Sequence, residues 1–276
     1  MTNRKVAYII KDQKPVVLSN DVTVAEACRL MWERRAGSVL VVDSKASLLG
    51  IFTGRDAVRL LASREDAAAT PLQQAMTPNP MVLTPAHRAI DALKAMVKGN
   101  FRHVPIVENG KLVGVVSRGD FKGMEFEAFD WKSPHLTTHR EISSIIKDQK
   151  PLTLDAENTV RRACQLMTQT GGGSVLVVDE RGSLGGIFTG RDAVRALSEG
   201  GDAGSSRLAL SMKPHPVTIT PGNYAIDALR IMSDGGFRHL PVVENGKIYG
   251  VVSRSDFTGI EVDQLDQDEH LAECIW

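Results

Sequence analysis

The chain has 276 residues, room for two ordinary domains, and its 42% hydrophobic and 24% charged content is that of a globular protein. Its 33 Lys+Arg balance 33 Asp+Glu, which argues against a dedicated nucleic-acid binder, because such binding rests on excess cationic charge. No apolar run approaches the roughly 18 residues of a membrane span, Met1–Tyr8 lacks a signal-peptide core, and Cys28, Cys164 and Cys274 have no metal or disulfide spacing, so a cytoplasmic chain without membrane insertion is expected.

In chain order, Ile9–Pro15 (IIKDQKP) is an extended entry directed by its proline. Gly37–Asp43 (GSVLVVD) is a β-branched strand, and Gly50–Arg59 (GIFTGRDAVR) is a strand running into a helix. Ser63–Ala75 lacks sustained periodicity and reads as a linker. Met76–Leu83 (MTPNPMVL) is a second proline-marked entry. Ile90, Leu93, Met96 and Val97 then form the buried stripe of a helix. Val104–Val107 and Leu112–Val116 are strands joined by Asn109-Gly110, a hairpin signal. A closing helix is expected from Ser117. Met124–Thr138 follows as a linker; its Trp131, Pro134 and His135 suggest that it packs.

The second half repeats the first. Lys11 and Lys147 stand at the same place in two copies of IIKDQKP, an offset of 136. The same offset carries Gly37–Asp43 onto Gly173–Asp179, Gly50–Arg59 onto Gly186–Arg195, and Phe101–Pro105 (FRHVP) onto Phe237–Pro241 (FRHLP). It also carries Val115–Phe121 (VVSRGDF) onto Val251–Phe257 (VVSRSDF) without insertion, so the halves should share one backbone. Within each half a fainter offset of 64 relates GIFTGRD (Gly50–Asp56) to GVVSRGD (Gly114–Asp120). Four units follow, at 1–62, 70–138, 139–200 and 206–262, with a linker at Ser198–Ser211 and a tail at 263–276. Each is an α/β layer: a small sheet covered by helices. The acidic tail, with Leu265, Leu271, Ile275 and Trp276, is expected to form an amphipathic helix, as is Met124–Trp131.

Each unit ends a strand on Ser/Thr-x-x-Asp: Thr53–Asp56, Ser117–Asp120, Thr189–Asp192 and Ser253–Asp256. One reading is a helix capping box. However, the usual box prefers Glu or Gln in the fourth position, and all four copies carry Asp. A short carboxylate is suited to accept two hydrogen bonds from a ribose diol. Arg55, Arg118, Arg191 and Arg254 stand beside these helix starts, where anions bind readily. The two roles are compatible. Arg102-His103 and Arg238-His239 precede strands in the even units, where the odd units have Ser38 and Ser174. They are either phosphate contacts or structural pairs. Neither half repeats a nucleophile–base constellation, so no enzymatic activity is expected. Arg118-Gly119-Asp120 spells RGD only by coincidence, since its copy is Arg254-Ser255-Asp256.

Four in-register copies of these phrases, from about Tyr8 to Gly259, resemble the CBS domain family. The resemblance implies that units pair as two Bateman modules, Met1–Thr138 and His139–Trp276, which stack around a pseudo-twofold axis into one disc. It implies no covalent cofactor. Clefts between paired units would bind an adenosine-containing ligand (AMP, ADP or ATP), with S-adenosylmethionine or NAD(H) as alternatives. Each Asp would hold ribose hydroxyls, the Ser/Thr would touch ribose or phosphate, and the Arg-His pairs would face phosphates, mainly in units two and four. Lys11 and Lys147 are further candidate phosphate contacts. A sensor of this kind acts on a protein partner or through self-association. The rival reading is an interaction module with degenerate clefts.

Overall fold

The computed structural model describes residues 4–63, 66–121 and 140–257. The offset of 136 holds for the backbone: strand β2 (Ser38–Val42) recurs as β8 (Ser174–Val178), and β6 (Lys111–Ser117) as β12 (Lys247–Ser253).

Two kinds of unit alternate. The odd unit of the first half carries β1 (Val16–Ser19), helix α2 (Val24–Glu33), β2, β3 (Leu48–Thr53) and α3 (Gly54–Ser63). Thr23 caps α2, its side chain accepting from the Glu26 N–H at 3.3 Å. β1 lies parallel to β2, β2 pairs antiparallel with β3, and the two-residue β4 (Thr77–Pro78) adds to β3. β2 is buried along most of its length, which is why it reads as a continuous apolar run. The even unit is simpler. β5 (His103–Glu108) and β6 form a hairpin with α5 (Ala89–Gly99) against it. Asn109 at φ 51° and Gly110 at φ 77° make its turn, the left-handed pair that a two-residue hairpin demands.

Two segments lie where local pattern gives no hint. α1 (Val6–Ile10) packs on β6, and Val6 and Ile10 belong to the core of the even unit rather than to the sheet that follows them. Between α1 and β1, the IIKDQKP loop therefore crosses from one unit to the other. In the expected linker Ser63–Ala75, the short helix α4 (Leu72–Ala75) buries Leu72 completely. The second half repeats this with α6 (Ile142–Ile146), β7 (Thr153–Asp155), α7 (Val160–Thr170), β9 (Leu184–Thr189), α8 (Gly190–Ser198), α9 (Leu208–Ser211), β10 (Lys213–Pro214), α10 (Ala225–Gly235) and β11 (His239–Glu244).

The halves meet through their odd units, whose helices share one hydrophobic core containing Leu61, Phe52, Leu197 and Phe188. α2 packs on α8 and α3 on α7, a reciprocal arrangement that defines a pseudo-twofold axis. Near that axis Gly54 and Gly190 touch through their backbones: a Cβ on Gly54 would lie 3.3 Å from the Gly190 carbonyl oxygen. The starts of α3 and α8 are thus held together. Arg195 stacks over Trp32 at 5.8 Å, and the Gln165 amide donates to the Ala62 carbonyl at 3.3 Å across the same interface. The expected helix after Ser117 is a single 3-10 turn at Arg118–Asp120, ended by Phe121 in an extended conformation; Met124–Trp131 and the acidic tail lie outside the described residues.

Candidate functional site

The hairpin register does the assembly. His103 lies opposite Ser117, and His239 opposite Ser253, so each Arg-His pair stands beside a Ser-x-x-Asp turn of its own unit. Each imidazole also reaches the odd unit of its module. A Cβ at Gly37 would sit 2.6 Å from His103 Nε2, and one at Gly173 would sit 2.5 Å from His239 Nε2. Glycine at those positions leaves room for the rings.

All four Asp residues receive a backbone N–H from the Ser/Thr three residues earlier, so the capping contact is present in every unit. Beyond that they divide into two classes. Asp56 is buried and takes four hydrogen bonds: from the Thr53 N–H at 2.9 Å, Thr53 Oγ1 at 2.8 Å, Arg59 at 2.9 Å and Thr77 Oγ1 at 3.1 Å. Asp192 is also buried. It takes the Thr189 N–H and Oγ1, both at 2.8 Å, with Arg195 at 4.0 Å. Burial nevertheless holds the Asp192 pKa above the usual carboxylate value, against the lowering effect of Thr189 and the nearby arginines. By contrast, Asp120 and Asp256 are half-buried. Each uses only Oδ2, for the N–H of Ser117 (2.6 Å) or Ser253 (2.7 Å). Among the described residues their Oδ1 atoms accept no hydrogen bond.

The arginines of the two modules act electrostatically on one another and with these carboxylates. Burial lowers the Arg102 pKa first, followed by the charges of Arg238, Arg55 and Arg118, with Asp256 acting in the opposite sense. Arg238 is lowered by burial, Arg191 and Arg254, and raised by Asp120. Burial also lowers Arg118, against Asp256. Each open carboxylate thus acts on an arginine of the other module. Arg55 and Arg191 donate to the Asn100 and Gly236 carbonyls at 2.6 and 3.2 Å, tying α3 and α8 to the neighbouring helix ends. Among the described residues, neither Arg102 nor Arg238 has a carboxylate within ion-pair distance. The result is a cationic centre on the pseudo-twofold axis, suited to anions carrying more than one charge. Lys11 and Lys147 are exposed at the ends of α1 and α6, and neither is among the charges acting on this centre.

A family model for the CBS domain matches residues 8–63, 72–123, 142–199 and 207–262. The chain belongs to the CBS domain family. The CBS domain-containing protein CBSCBSPB5 of Arabidopsis thaliana is 30% identical over 274 residues, covering 87% of this chain and 50% of the relative. The meiotically up-regulated gene 70 protein of Schizosaccharomyces pombe is 28% identical, covering 89% and 42%. The chain spans about half the length of the curated relatives it matches. The crystal structure of MJ1225 from Methanocaldococcus jannaschii, described as a proposed archaeal homologue of g-AMPK, has a TM-score of 0.72 at 21% identity, over 94% of this chain and 99% of that one. That likeness shows a shared fold over nearly the whole of both chains.

Sequence reasoning missed several residues that hold the four turns in place. Arg4 and Arg140 donate to the Asp120 and Asp256 carbonyls at 2.8 Å, holding both turns from the chain entries. Their identity at the offset of 136 was the available signal. Arg59, Arg195 and Thr77 also escaped notice, although they determine the surroundings of the odd-unit carboxylates.

The two histidines carry a pH prediction. Burial, then Arg238 and Arg102, push the His103 pKa down to about 4; burial, then Arg102 and Arg238, do the same to His239. Both rings are neutral in the folded chain at neutral pH. As pH falls below the ordinary value of 6.5, the unfolded imidazole gains a proton that the folded one refuses, so stability drops. The loss per imidazole is about 1.4 kcal/mol per pH unit between roughly 6.5 and 4. The melting temperature should decline over this window, and His103→Gln with His239→Gln should flatten the decline. An unchanged pH slope in the double variant contradicts this assignment.

Proposed function

We propose that this CBS chain is a regulatory nucleotide sensor that binds adenosine phosphates at two sites, one built on Asp120 and one on Asp256. The carrying observation is the division among the four carboxylates: Asp56 and Asp192 are buried within their caps, whereas Asp120 and Asp256 have one oxygen that accepts no hydrogen bond from the described residues, and each acts on an arginine of the other module. In this reading the open carboxylate accepts from the ribose diol, and Ser117 or Ser253 contacts ribose or phosphate. The phosphate enters the shared centre, where Arg102, Arg118, Arg238 and Arg254 receive it.

An anion there removes like-charge repulsion between the modules. Binding therefore favours the arrangement in which they are drawn together, by no more than the ligand's differential affinity for the two states. A partner reads that change.

Calorimetric titration of the chain with AMP, ADP, ATP, S-adenosylmethionine and NAD tests the proposal. Saturable binding that strengthens from adenosine to its phosphates is expected. No heat from any of them at millimolar concentration overturns the sensor and leaves the interaction module.

A further inference from the structure

Resting on that reading, we infer that the acidic segment 258–276 docks on the shared arginine centre and competes there with the nucleotide phosphate. The exit point of the segment is fixed beside that centre. Phe257 is buried in the core of the fourth unit, and the preceding Asp256 carbonyl accepts from Arg140 at 2.8 Å. One turn earlier, the Arg254 N–H donates to the Arg238 carbonyl at 3.0 Å, so the segment leaves from a turn bonded directly to the Arg-His pair. The side chains agree with the backbone: Arg254 acts on Arg238, and Asp256 acts on Arg102 and Arg118.

Charge complementarity names the occupant. The segment holds Glu261, Asp263, Asp266, Asp268, Glu269 and Glu273, with no Lys or Arg. Residues 1–257 therefore hold all 33 Lys+Arg against 27 Asp+Glu. The repeat breaks at this point. Residues 122–139, in the corresponding place of the first half, carry three acids and two lysines. Only the segment after the second half is built as a polyanion. Reach is not limiting: Glu261 stands four residues beyond Phe257, up to about 14 Å at roughly 3.3–3.6 Å per residue. Carboxylates pair with guanidinium groups through the same forked hydrogen bonds that phosphates use. Tethering on a short linker supplies them at an effective concentration in the millimolar range. In the absence of nucleotide the segment thus offsets the like charges of Arg102 and Arg238, and a phosphate must displace it.

The test measures AMP affinity by calorimetry, at low and at high salt, for three chains. These are the full chain, a chain ending at Gly259, and a full-length chain with the six acids changed to their amides, Glu261→Gln, Asp263→Asn and the rest alike. Both altered chains are expected to bind AMP about three- to tenfold more tightly at low salt. The gain should shrink at high salt, where screening releases the segment from the unaltered chain. A synthetic peptide of residues 258–276 should bind the shortened chain with a Kd below about a millimolar. Arg102→Gln with Arg238→Gln should weaken that binding. AMP affinity unchanged in both altered chains overturns the inference alone. A gain on shortening that the amide variant lacks also overturns it, since the segment would then act by bulk and not by charge. A chain that ignores AMP in all three forms, yet binds the peptide through these arginines, overturns the sensor reading and supports the docking.

Discussion

Alanine at both Asp120 and Asp256 is expected to abolish measurable nucleotide binding, and alanine at Asp56 and Asp192 is expected to leave it close to wild type. An open carboxylate that accepts two ribose hydroxyls makes charge-assisted hydrogen bonds of about 1.5–3 kcal/mol each. Losing such a pair weakens a site by roughly 10²–10⁴-fold. Their loss should cost little stability, because each holds a single cap contact at the edge of a cleft. Asp56 behaves in the opposite way. It collects Thr53, Arg59 and Thr77 around one buried carboxylate. Removing it strands these donors and the start of α3, at a cost of about 2–4 kcal/mol. Chemical denaturation and calorimetry on the two double variants separate the classes. Equal loss of binding in both would show that the buried carboxylates serve ligand as well.

Arg102→Gln is the second large effect, and it should act across the axis. Arg102 acts on Asp256, which belongs to the other module, and stands beside Arg238 without an ion-pair partner among the described residues. The variant should weaken the Asp256 site by about 10–100-fold, the value of one or two phosphate contacts, and leave the Asp120 site less affected. The ligand-free chain should melt higher, since one charge of a repelling cluster is gone. Calorimetry in an Asp120→Ala background isolates the distant site. Unaltered affinity there would place Arg102 outside it.

The parts of the fold legible in the sequence are those whose cause is local. Asn109-Gly110 and Asn245-Gly246 announce their hairpins because left-handed turn residues are chemically distinctive. The repeat announces the shared backbone. Three features depended on contacts between distant segments: the parallel pairing of β1 with β2, the addition of β4 to β3, and the docking of α1 on the even unit. Apolar pattern alone does not name a partner.

At the site, the Arg-His pairs already set units two and four apart in the sequence, whereas the four Ser/Thr-x-x-Asp carboxylates read alike and differ in their three-dimensional surroundings. A sequence sign of this was present. Asp56 and Asp192 are followed three residues later by Arg59 and Arg195, and Asp120 and Asp256 by Gly123 and Gly259. On a helix that spacing brings the charges together. Thr77, 21 residues away, completes the contacts of Asp56 and could not be read from spacing. The convergence of Arg102 and Arg238 required the axis itself, set by Gly54, Gly190 and the packing of α2 on α8.

Two of the four Ser/Thr-x-x-Asp motifs, those of units two and four, are expected to hold nucleotide around one shared cationic centre. Native mass spectrometry of the full chain with saturating AMP counts them directly. Two AMP per chain are expected, falling to one in Asp120→Ala or Asp256→Ala. Four bound molecules, or a count that falls with Asp56→Ala instead, would contradict it.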